Sequence, residues 1–79
     1  MRTITEDQII HFISTACKVP SSRIHPHTSL RDDLLLDSID VLLLIAALEN
    51  NFKVYLTTEE AEAIDTAYEA NYYVQKHAA

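Results

Sequence analysis

A serine flanked by two aspartates is the most chemically suggestive feature of this 79-residue chain. Asp37 directly precedes Ser38, and Asp40 follows after Ile39. Asp37 is a good helix N-cap. Asp40 stands three residues after it, where an acidic side chain answers the helix dipole. Ser38 therefore falls in the first turn of a helix. There the free backbone N–H groups and the positive end of the dipole favour an attached phosphate. Hydrolytic chemistry fits poorly. No histidine is placed by sequence to act as a base for Ser38, and no nucleophile elbow is present. The chain has no glycine, so it has no glycine-rich loop for an oxyanion or a phosphate. No catalytic residue is assigned. Serine also occurs at helix starts for capping alone, which leaves an unmodified helical interaction domain as a rival reading.

Two other groups invite chemistry. His25-Pro26-His27 places two histidines around a proline, but no further ligands follow at metal-site spacing. An exposed loop is the simpler reading, and no metal is expected. His11 and His77 lie far away in sequence. Cys17 is the only cysteine, so no disulfide framework is possible within the chain. That fits a reducing cytosol. The thiol reads as a small hydrophobe on the first helix, because no electropositive setting is specified for it.

The elements that position Ser38 are helical. Thr5-Glu6-Asp7-Gln8 is a capping box, and Ile9, Phe12, Ile13 and Ala16 follow at helical spacing, with Ile10 and Cys17 widening the face. The first helix is predicted over residues 5–17. Val19-Pro20 should end it, because the residue before a proline leaves the α region. A long connection follows, which Val19, Ile24, Leu30 and Leu34 would pin. The second helix is predicted from Ser38 to Asn51, with Val41, Leu44, Ile45, Leu48 and Phe52 on its core face. Its other side holds Ile39, Asp40, Leu43, Ala46, Ala47 and Asn50. Two large apolar residues on that side are either covered by another element or form a docking surface. Lys53-Val54-Tyr55-Leu56 is a short extended link. Thr57 opens a capping box with Glu60 and a short helix over 58–64, with Ala61 and Ile64 inward. Thr66 and Glu69 form another box and open a last helix to His77, with Ala67, Ala70 and Val74 inside. Asn71, four residues after Ala67, lies on that inner stripe.

The predicted fold is all-α. It is a small four-helix bundle with a long loop between helices one and two and a short third helix. One domain spans residues 1–79, near the size at which a core is just sufficient. Apolar residues make up 48% of the chain, which favours a globular domain over disorder. The formal net charge is −6, from twelve acids against six bases. Such a surface repels nucleic acid and anionic membrane and suits basic protein partners. Met1 to Ile13 alternates charged and apolar residues, so no signal peptide is expected. The apolar run Val41–Leu48 is too short to span a membrane.

Asp37-Ser38-Ile39-Asp40 followed by an apolar helix resembles the attachment motif of acyl carrier proteins. The likeness takes in Leu30, Asp33-Leu34, Ala47-Leu48-Glu49, Phe52, Glu59-Glu60-Ala61-Glu62 and Ile64, and the helix order matches the carrier fold. The resemblance implies a 4'-phosphopantetheine arm on Ser38, with Asp37, Ile39 and Asp40 around the attachment. A phosphopantetheinyl transferase would use the Ser38 hydroxyl to attack coenzyme A. The protein itself would be a non-catalytic, cytoplasmic, monomeric carrier of acyl thioesters in fatty-acid, polyketide or related lipid biosynthesis. Its partners would be that transferase and acyl-loading, acyl-transfer or synthase enzymes, met through Ile39, Asp40, Leu42, Leu43, Ala46 and Glu49. Helices one, two and four would shelter the acyl chain, and the short third helix would be the moving part. Asn71 would either reach water at the edge or line that cavity. A peptidyl or aminoacyl carrier shares the arm, but its motif typically has glycine before the serine, where this chain has Asp37.

Three positions depart from the family pattern. Leu35 and Lys53 stand where the family usually has glycine. Leu43 stands where an acidic residue is common, and this points to a specialised carrier rather than the housekeeping carrier of fatty-acid synthesis.

Overall fold

Four side-chain oxygens start the four helices. Thr5, Asp37, Thr57 and Thr66 have extended backbones, and each accepts a hydrogen bond from the N–H three residues on. The computed structural model describes residues 4–78. Its helices are α1 (Glu6–Cys17), α2 (Ser38–Phe52), α3 (Thr58–Ala63) and α4 (Ala67–His77). A single 3-10 turn at Ser21–Arg23 interrupts the long connection. No strand occurs among the described residues. The fold is the expected small all-α bundle.

Three of the caps are reciprocal boxes. The side chains of Gln8, Asp40 and Glu60 return to the backbone N–H of Thr5, Asp37 and Thr57. The box expected at Thr66 is only half formed. Glu69 Oε1 instead accepts from the Asp65 N–H at 2.8 Å and from the Thr66 hydroxyl at 3.2 Å. Ile64 is extended as it leaves α3, which turns the Asp65 N–H toward Glu69.

Two helix ends correct the sequence reading. The chain leaves α1 at Lys18, before Val19-Pro20, in a left-handed conformation with φ 57°. The N–H groups of Lys18 and Val19 both donate to the Ser14 carbonyl. α2 runs one residue past Asn51 and ends the same way. Lys53 has φ 58°, and Lys53 and Val54 both donate to the Glu49 carbonyl. Leu35 is also left-handed, at φ 58°. Left-handed backbone costs a side-chain-bearing residue roughly 1–2 kcal/mol. Two of these three positions, Leu35 and Lys53, are the ones where a glycine was missing from the pattern. The chain keeps the turns and bears the cost.

The core joins Ile9 and Ile13 of α1 to Val41, Leu44, Ile45, Leu48 and Phe52 of α2 and to Ala67, Ala70 and Val74 of α4. Phe12 is half-buried, and its ring meets Phe52 edge-on at 5.7 Å. Ala16, expected inside, is exposed, because α1 ends beside it without a covering element. From the connection, Ile24 and Leu30 are buried, while Val19 and Leu34 are half-buried against the core. The connection is also fastened by Asp65. Its carboxylate accepts from the Ser29 hydroxyl at 2.6 Å and from the Arg31 N–H at 3.1 Å, and the Arg31 guanidinium lies 3.2 Å away. Burial alone would raise the Asp65 carboxyl. The Ser29 and Arg31 contacts outweigh it and hold the group below its usual range.

α3 buries none of its own residues. Ala61 packs partly against the core, and Ile64, at its end, is fully buried. Its main polar tie is Glu60, which meets Lys76 and His77 of α4. Asn71 is half-buried at the edge of α4, and its Oδ1 accepts from Gln75 Nε2 at 3.3 Å. It shares an outer groove with Tyr68 and Tyr72, so the edge reading is the right one and the cavity-lining reading is withdrawn. His27 is exposed, with its ring 5.3 Å from Tyr68, and the Pro26 carbonyl accepts from the Tyr68 N–H. The His-Pro-His segment thus rests on the start of α4.

Candidate functional site

Ser38 is the first residue of α2, and it is exposed. Asp37 Oδ1 accepts from the Asp40 N–H at 2.8 Å, and Asp40 Oδ2 accepts from the Asp37 N–H at 3.3 Å. The Asp37 carbonyl takes the Val41 N–H at 3.0 Å. This box holds the two aspartates to each other and holds the first turn in shape. The N–H groups of Ser38 and Ile39 have no partner among the described residues. They are donors at the positive end of a 15-residue helix, where a phosphate oxygen is well placed. The Ser38 hydroxyl likewise has no hydrogen-bond partner among the described residues. The arrangement offers a reachable hydroxyl for an external enzyme. The residues therefore fit a phosphate-linked group on Ser38.

The outer face of α2 is apolar and open. Ile39 is 68% exposed, Leu42 59% and Leu43 65%. Ala46 is exposed on the same face. These four stand at i, i+3, i+4 and i+7, so they form one stripe. Leu35, 81% exposed, precedes them. Of the two readings left open by the sequence, covering by another element of the described residues does not occur. Four large side chains of this kind near one hydroxyl are more than scattered surface leucines.

Two grooves flank the stripe. One, of about 400 Å³, lies between the end of α1 and α2, and is lined by Cys17, Leu36, Asp40, Leu43 and Leu44 among others. Burial, and then the Asp40 charge, push the Cys17 thiol above its usual value. The thiol is therefore a neutral, half-buried wall, as the sequence suggested. The other, of about 340 Å³, lies at the far end of α2 between Ala46, Asn50, Lys53 and Tyr55. Glu49 also lines it, but its Oε2 accepts from the Leu56 N–H at 2.9 Å. That bond lays the link after α2 back against the helix. Glu49 thus has an internal task beside the contact role expected of it. Tyr55, 87% exposed, was missed in the sequence. The available signal was a large aromatic in a short link that needs no aromatic.

Among the described residues, no group of three or more His, Cys, Asp or Glu side chains is placed to hold a metal ion. No helix among them is long and apolar enough to cross a membrane.

The family model described as "Phosphopantetheine attachment site" matches residues 7–69, which include Ser38. An acyl carrier protein from Chlorobium phaeovibrioides is 37% identical over 71 residues, covering 90% of this chain and 91% of that protein. An "Acyl carrier protein 3" from Ralstonia nicotianae is 35% identical over 69 residues, covering 87% and 79%. An acyl carrier protein from Rubrobacter xylanophilus is 44% identical over 59 residues, covering 75% and 73%. Proteins of this kind are non-catalytic carriers. With its helical bundle, its capped and open first turn, and this agreement over most of its length, the chain belongs to the acyl carrier protein family, whose prosthetic group is 4'-phosphopantetheine.

Proposed function

We propose that Ser38 is the attachment residue, and that the chain carries acyl intermediates as thioesters in fatty-acid, polyketide or related lipid biosynthesis. The observation that supports this most is the exposed Ser38 hydroxyl at the start of α2, inside the matched attachment region. Asp37 and Asp40 fix that turn, and the Ser38 and Ile39 N–H groups are left to receive a phosphate oxygen. The arm supplies the thiol chemistry when attached. The chain's own residues present, orient and shield it. A phosphopantetheinyl transferase loads the serine, and acyl-loading, acyl-transfer or synthase enzymes then act on the arm.

The chain is a specialised carrier rather than a housekeeping one. Leu43 supports this reading, because it puts an exposed leucine beside Ile39 where partners of the common type meet an acid. Ile39, Asp40, Leu42, Leu43 and Ala46 are the partner face, and Glu49 serves mainly as its support. Residues 1–79 act as one carrier domain, and the protein works as a cytoplasmic monomer. Peptide mapping after incubation with a broad-specificity transferase and coenzyme A tests the assignment. The added mass should reside on the peptide containing Ser38, and its location on any other residue would overturn the assignment.

A further inference from the structure

The outer face of α2 is acidic at its start, while at its other end Lys53 shares a groove with Glu49, whose Oε2 is turned to the Leu56 N–H. Asp37 and Asp40 are exposed at the start, with Asp32 and Asp33 exposed just upstream. Lys53 stands at the other end, exposed and fixed in its left-handed cap. No other Lys or Arg lies between Arg31 and Lys76. Asp40 and Lys53 are separated by about 20 Å along the helix axis, at 1.5 Å per residue. Between them runs the exposed stripe of Ile39, Leu42, Leu43 and Ala46. Tyr55 extends it into the groove beside Lys53 and Asn50.

We propose that the partner lays an amphipathic helix antiparallel to α2, with an acidic first turn over Lys53 and Tyr55 and a basic last turn over Asp37 and Asp40. This rests on the reading of the stripe as the docking face. A row at i, i+3, i+4 and i+7 is the ridge that packs into the matching row of a second helix. Helices favour acids in the first turn and bases in the last, because those charges answer their own dipole. Laid antiparallel, such a helix sets its basic last turn against Asp37 and Asp40 and its acidic first turn against Lys53. Laid parallel, it puts acid against Asp37 and Asp40. Tyr55 is the aromatic anchor, a residue type that often dominates binding when it is desolvated.

Two side-chain-stapled peptides of about four turns provide the probe. Both carry leucines at i, i+3, i+4 and i+7. One has glutamates in its first turn and lysines in its last, and the other has these charges exchanged. Each is titrated into the full, isotope-labelled chain. The first should bind more tightly, and a spin label on its first turn should broaden the Tyr55 amide. Lys53→Glu should weaken the first peptide about two- to fivefold, as expected for an exposed ion pair, and strengthen the second. Tyr55→Ala should weaken both about tenfold. Equal affinities, or broadening at Ile39 in place of Tyr55, would overturn the antiparallel direction while leaving the docking face intact. Binding of neither peptide to α2 would overturn the docking face as well.

Discussion

His77 Nε2 lies 2.9 Å from Glu60 Oε1, and this contact, with Lys76 at 3.3 Å from Glu60 Oε2, ties α3 to α4. Glu60 is also the N3 residue of α3, where its carboxylate accepts from the Thr57 N–H. The Thr57 hydrogen bond first, then the His77 and Lys76 contacts, bring its carboxyl down to about 2 from an ordinary 4.5. A carboxyl lowered by folding stabilises the fold above its unfolded value and loses that contribution as pH falls toward its folded value. The melting temperature should therefore drop between about pH 4.5 and pH 2, and Glu60→Gln should flatten that part of the profile. An identical profile in the variant would remove Glu60 as the cause. Hydrogen exchange should show α3 opening before α1, since α3 buries none of its own residues.

Leu43 and Leu48 lie on opposite sides of α2, 65% and 0% exposed. Leu43→Glu should change stability by no more than about 0.5 kcal/mol, as for most surface substitutions. It should also slow transfer by a dedicated partner enzyme. Leu48→Ala should cost about 2–5 kcal/mol, because it opens a cavity in the core. Chemical denaturation of the two variants checks this contrast. A large loss in Leu43→Glu would show that the residue is packed.

Lys53→Gly and Leu35→Gly should each stabilise the fold, by up to about 1 kcal/mol, because both residues sit at φ 58°. The gain is reduced by the greater freedom of glycine in the unfolded chain. Thermal melts of the single variants measure it. A loss of stability at both positions would mean that their side chains contribute more than the backbone strain costs.

Much of this architecture could be read from side-chain type and spacing. Thr5, Asp37 and Thr57 announce helix starts because short oxygen-bearing side chains can reach an open N–H. Val41, Leu44, Ile45, Leu48 and Phe52 define the core face because 100° steps bring them into line. Lys18 gave no warning, since left-handed turns are normally announced by glycine, whereas Leu35 and Lys53 were marked only by the family's missing glycines. Ala16 and Asn71 lie at the margins of their stripes. Spacing fixes an angle on a helix but does not say which neighbour covers it. Glu69 was assigned to the wrong N–H because the bend at Ile64 depends on packing distant in sequence. At the site, Ser38 and its aspartates were plain, whereas openness of the Ile39–Leu43 stripe needed the whole fold.

Asp32, Asp33, Asp37 and Asp40 are all exposed around the entry to α2, in a chain of net charge −6. Their repulsion should weaken the fold at low ionic strength and fade as salt screens it over about 10 Å at 0.1 M. The melting temperature should rise with added sodium chloride or with millimolar magnesium or calcium. A melting temperature independent of all three would show that the charges are too far apart to matter.

The carrier account rests most directly on the intact mass of wild type and Ser38→Ala after incubation with a phosphopantetheinyl transferase and coenzyme A. Wild type should gain one phosphopantetheine. Ser38→Ala should gain none and keep its helical circular dichroism, because Ser38 is exposed and Asp37, not Ser38, caps α2. Wild type left unmodified by several broad-specificity transferases, or a Ser38→Ala variant that still acquires the group, would contradict the account.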